Sequence, residues 1–176
     1  MNLINLSSIQ FNDNLLQSNK HQKVDCYELV SSSVHWNCAM VLIIDKENAT
    51  TSYEGLLLLL QKQCKALSIW EMEWNAKSPT IDEFISFFIA QKGFTNTDGK
   101  TVAKDYFYDK YEETINGLIT EPSFECAKNG LPFTLESLFD KANIKNVICF
   151  DDTWQEHHFF VETDAQWLLY HWSSNV

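Results

Sequence analysis

The stretch His157-His158-Phe159-Phe160-Val161-Glu162-Thr163-Asp164-Ala165-Gln166-Trp167-Leu168-Leu169-Tyr170-His171-Trp172 reads as two strands joined by a tight turn. Both halves are rich in aromatic and β-branched residues, which fit a pleated surface. With Asp164-Ala165 as a two-residue loop, Thr163 faces Gln166, Phe160 faces Leu169 and His158 faces His171. Side chains alternate along a strand, so Glu156, His158, Phe160 and Glu162 share one face while His157 points to the other. A slip of one residue would dissolve that set.

Upstream, Asn146 to Phe150 is strand-like, and Val34 to Asp45 contains the β-branched run Val41-Leu42-Ile43-Ile44. The latter reads as a buried strand, with a short helix from Cys38 as the alternative. Thr51 and Glu54 form a capping box before Tyr53, Leu56, Leu57, Leu60, Cys64 and Leu67 at helical spacing. Ile69 to Trp74 alternates as a half-buried strand, with Trp70, Met72 and Trp74 on one face and Ile69, Glu71 and Glu73 on the other. A second box, Thr80 with Glu83, opens a helix through Ile81, Phe84, Ile85, Phe88 and Ile89 that ends at Gly93. Val102, Tyr106, Phe107, Tyr111, Ile115 and Leu118 make a third stripe, ended by Glu121-Pro122, and Thr134 caps a short helix through Leu138 and Phe139. Asp98-Gly99 and Asn129-Gly130 mark turns. The first thirty residues fit neither period. These elements predict one α+β domain over residues 1–176: a mixed or antiparallel sheet with a C-terminal β-hairpin packed against several helices.

Of 176 residues, 24 are Asp or Glu and 13 are Lys, with no Arg, for a formal net charge of −11. Arg is the usual bidentate reader of phosphate and guanine, and counterion release needs clustered cations. Nucleic-acid binding is therefore excluded from the expectation. The 24 Phe, Trp and Tyr side chains exclude a disordered chain. Five scattered glycines build no phosphate-cradling loop, and the dinucleotide, Walker, Gly-x-Ser-x-Gly and His-Glu-x-x-His signatures are missing. No cofactor is expected. The longest apolar runs, Cys38 to Ile44 and Leu56 to Leu60, are too short for a membrane span, and the N-terminus lacks a signal-peptide pattern. A cytoplasmic location follows.

Three constellations could carry function. Glu156, His158 and His171 are the residue types of a metal or proton-transfer site, although the plainest reading is a surface-facing pair that holds nothing, with no metal expected. Cys38 is the second. The segment His158 to Trp167 resembles the stretch around the catalytic histidine of transglutaminase-like cysteine hydrolases. That resemblance implies a papain- or transglutaminase-like reaction with Cys38 as nucleophile and His158 as its base. It departs on the next strand, where Leu169, Tyr170 and His171 replace the acidic partner. Cys38 otherwise reads as a buried thiol, like Cys26, Cys64, Cys126 and Cys149, whose odd number and wide spacing fit no disulfide framework.

Large aromatics interleaved with carboxylates are the third. They occur at Glu71 and Glu73 between Trp70 and Trp74, and at Asp151, Asp152, Trp154 and Glu156. Interface hot spots favour Trp, and an acidic rim steers a basic partner. The expectation is an acidic protein-binding module, best exemplified by an immunity protein that occludes a basic bacterial toxin such as a nuclease. The alternatives are the Cys38/His158 hydrolase and a non-catalytic subunit of a homo-oligomer.

Overall fold

The computed structural model describes residues 24–31, 36–52, 54–56, 58–60, 62–63, 99–134 and 138–175. Its strands are β1 (Asp25–Ser31), β2 (Trp36–Asp45), β3 (Lys100–Thr101), β4 (Phe124–Lys128), β5 (Leu131–Pro132), β6 (Ile144–Asp152), β7 (Glu156–Thr163) and β8 (Gln166–Asn175). All pair antiparallel into one sheet in the order β3-β6-β7-β8-β2-β1-β4-β5. One long helix, α1 (Lys104–Ile119), lies between β3 and β4 in sequence.

Both faces of the sheet are covered. On one, Met40, Leu42 and Ile44 of β2, Phe160 of β7 and Leu169 of β8 pack with Leu56, Leu58, Leu59 and Leu60 of a helical stretch within 52–63. On the other, Val41, Ile43, Phe159, Val161, Leu168 and Tyr170 pack with Phe107, Tyr111, Ile115 and Leu118 of α1. Strands buried on both faces read as continuous apolar runs instead of alternating, as β2 and β8 do.

The Thr51–Glu54 capping box forms: Glu54 N–H donates to Thr51 Oγ1 at 3.2 Å, and Thr51 N–H to Glu54 Oε2 at 3.3 Å. Asn129 and Gly130 hold φ of 50° and 80°, the two left-handed positions of a type I′ turn between β4 and β5.

The expectation of a mixed or antiparallel sheet with a C-terminal hairpin packed against several helices is overturned. Among the described residues the sheet predominates, and only α1, the stretch within 52–63 and the 3-10 turn Lys141–Asn143 are helical. Four strands escape a periodicity reading for physical reasons. β1 buries Cys26 on one face and Tyr27 and Leu29 on the other, so no alternation is visible. β3 and β5 are two residues long, and most of β4 is half-buried. The helix proposed from Cys38 is also corrected, since Cys38 lies inside β2. The Ile69–Trp74 strand, the Thr80 helix with Gly93, and residues 135–137 after Thr134 lie outside the described residues.

Candidate functional site

The β7–β8 loop is closed by Thr163, whose hydroxyl accepts from Gln166 N at 2.9 Å and donates to Gln166 O at 3.1 Å. The resulting register sets Phe160 opposite Leu169, His158 opposite His171 and Glu156 opposite Ser173. A bulge between Cys149 and Asp151 of β6 brings Asp151 opposite His158. Asp151, His158, His171, Met40 and Glu28 thus stand side by side across five strands. Glu156, Ser173 and Cys38 form the next row.

The histidine pair is not surface-facing. His158 is 1% exposed and His171 4%, with ring centroids 4.8 Å apart. His171 Nε2 lies 3.0 Å from Glu156 Oε1, and Phe150 meets the His158 ring edge-on. One ligand atom from each of Glu156, His158 and His171 falls within 4.8 Å of the others. Burial, then the charge of Glu156, raises the Asp151 carboxyl above the ordinary carboxylate range. Two imidazoles and a carboxylate so placed can share a proton or hold a cation.

The opposite face carries a different set at the same end of the sheet. Asp152, His157 and Trp172 are successive neighbours across β6, β7 and β8. His157 Nδ1 is 2.8 Å from Asp152 Oδ1, and its ring stacks on Trp172 at 4.7 Å. Burial lowers the His157 pKa against the opposing pull of Asp152. The Tyr106 hydroxyl of α1 donates to Asp152, and that bond pushes its pKa up to about 12. Between β6 and β7, Thr153 N–H donates to Glu156 O at 2.8 Å, leaving Trp154 at the tip with 71% exposure.

Asp151, Asp152, Trp154 and Glu156 therefore gather at one hairpin end but divide between its faces. Asp151 and Glu156 belong with the histidines, Asp152 with His157, and Trp154 with solvent. Glu71 and Glu73 lie outside the described residues. Sequence reasoning missed Tyr106 as a surface group by placing it in the buried stripe. The spacing Phe107-Tyr111-Ile115-Leu118 carries the signal, because Tyr106 sits one residue, roughly 100°, off that line.

Cys38 shares the histidine face, with Sγ 3.1 Å from Ser173 Oγ. Its place within β2 removes the helix dipole that would have favoured a thiolate. Cys26, Cys38, Cys126 and Cys149 are free thiols. Burial, first among the causes, pushes Cys26 up to about 12 and Cys149 up to about 11.

Neither a family model, nor a curated protein, nor a solved structure matches this chain. Among the described residues, no helix is long and apolar enough to cross a membrane.

Proposed function

We propose that this chain is an acidic protein-binding module that neutralises a basic protein, in the manner of an immunity protein covering a delivered toxin. Trp154 is the observation that carries this reading. An indole left 71% exposed forgoes roughly 1.5–3 kcal/mol of burial, and contact with a partner would recover it. Asp152, its side chain 21% exposed, and 41% exposed Tyr106, linked to each other, supply an acidic and aromatic surface near the same hairpin end. Trp and Tyr are the favoured anchors of interface hot spots. The net charge of −11 gives long-range attraction for a cationic surface such as a nuclease needs to hold phosphates. Inhibition then follows by occlusion, in the cytoplasm of the cell that needs protection.

Partner capture from lysate at about 0.5 M salt, where the Debye length is about 4 Å, tests this. The expected result is one basic protein whose activity the chain blocks at equimolar ratio. Trp154→Ala should weaken that complex by about 2 kcal/mol or more, mainly through faster dissociation. Asp152→Lys should slow association and flatten its salt dependence. Retention of the same protein at equal affinity by Trp154→Ala would remove this surface from the model.

A further inference from the structure

The buried histidine pair belongs to neither the Trp154 tip nor the α1 face. A buried imidazole carries two polar nitrogens that must be satisfied, a requirement that Leu or Phe in the same space would not impose, so the pair brings polar chemistry into this layer. Phe150, Phe160 and Met40 border it as members of that cluster. The three polar groups also come from two adjacent strands in the middle of the sheet: His158 and His171 are held by ladders on both sides, and Glu156 pairs with Ser173 on one side while its carbonyl accepts from Thr153 N–H on the other. Donors on rigid elements are pre-organised, as a coordination site requires.

We propose that Glu156, His158 and His171 bind one zinc ion. Two imidazole nitrogens and a carboxylate oxygen are a donor set that zinc favours, and three protein ligands leave a fourth position for water. Donors on one tetrahedral zinc sit about 3.4 Å apart. Here His171 Nε2 and Glu156 Oε1 are already at 3.0 Å, and the whole set spans no more than 4.8 Å, so side-chain rotation closes the remainder. Asp151, opposite His158, and Ser173, opposite Glu156, stand where an outer shell would orient the ligands. The zinc proposal does not rest on the Trp154 reading, since zinc uptake is read without any protein partner.

Titration of the full chain with zinc chloride, after dialysis against a chelator, provides the test. The expected result is one ion per chain with micromolar or tighter affinity, and a rise in thermal midpoint on binding. Cobalt(II) should give the visible bands of a tetrahedral nitrogen and oxygen site without a thiolate charge-transfer band. Glu156→Gln and His158→Gln should each weaken zinc at least tenfold while keeping the wild-type circular dichroism spectrum. No uptake by the wild-type chain at about 100 μM zinc, roughly a hundredfold above that affinity, overturns the proposal. So does a cobalt–thiolate band, which would place the ion on cysteines, or undiminished zinc binding by folded variants. The wild-type titration and the cobalt spectrum decide the matter even where a variant fails to fold.

Discussion

Stacking on Trp172 and burial between strands deny His157 the water that its charged form needs. Its folded pKa is therefore depressed below the unfolded value near 6.5. Below that value the unfolded chain takes up a proton that the folded chain resists, so this contribution is complete above about pH 6.5 and declines as the pH falls. Between about pH 7.5 and pH 5.5, the wild-type chain should lose more stability than His157→Gln, measured as the shift in urea midpoint. An equal loss in both proteins would show that His157 is not a source of acid sensitivity. At this scale much was legible, since the facing of His158 and His171 follows from counting outward from Asp164-Ala165. Their burial was not legible. Met40, the residue beside His171, arrives from the other end of the chain, and no local pattern announces it.

Where the helical stretch within 52–63 meets the sheet, Gly55 and Trp167 set the separation. A Cβ built on Gly55 would lie 2.6 Å from Cγ and Cδ1 of the Trp167 ring. That indole cannot retreat easily. Its Nε1 donates to Ala49 O at 2.7 Å, Phe160 stacks on it at 5.7 Å, and Lys46 Nζ lies 4.4 Å from the ring centroid. Helix propensity alone would make Gly55→Ala stabilising by about 1 kcal/mol. Overpacking against a pinned ring costs about 1–3 kcal/mol and should win. Chemical denaturation should therefore find Gly55→Ala less stable than wild type, and a stabilised variant would mean that the two layers are not so tightly joined. Elements with strong local codes, such as the capping box at Thr51 and the β-branched run of β2, were readable. β3 and β5 were not, because a two-residue strand exists only through pairing with its neighbour.

At the scale of the whole molecule, the described residues form a sheet whose two outermost strands are two residues long and whose centre is buried on both faces. Short edge strands, one of them ending in Pro132, offer little backbone to another chain. Hydrogen exchange should be slowest for amides in β2, β7 and β8, where opening requires global unfolding, and fastest in β3 and β5. Equal protection in β5 and β8 would contradict this gradient. Among the described residues the sheet is larger than periodicity shows, because apolar stripes mark what is buried, whereas the extent of a sheet is set by ladders between distant segments. The placement of β8, last in sequence yet between β2 and β7, also bears on how the chain is made. On the ribosome, β2 and β7 emerge with one flank each unpaired and stay so until residue 175 clears the exit tunnel. Assembly of the centre must therefore follow synthesis of β8, and until then β2, long since emerged, presents an apolar, unpaired strand edge to the chaperones that patrol the tunnel mouth.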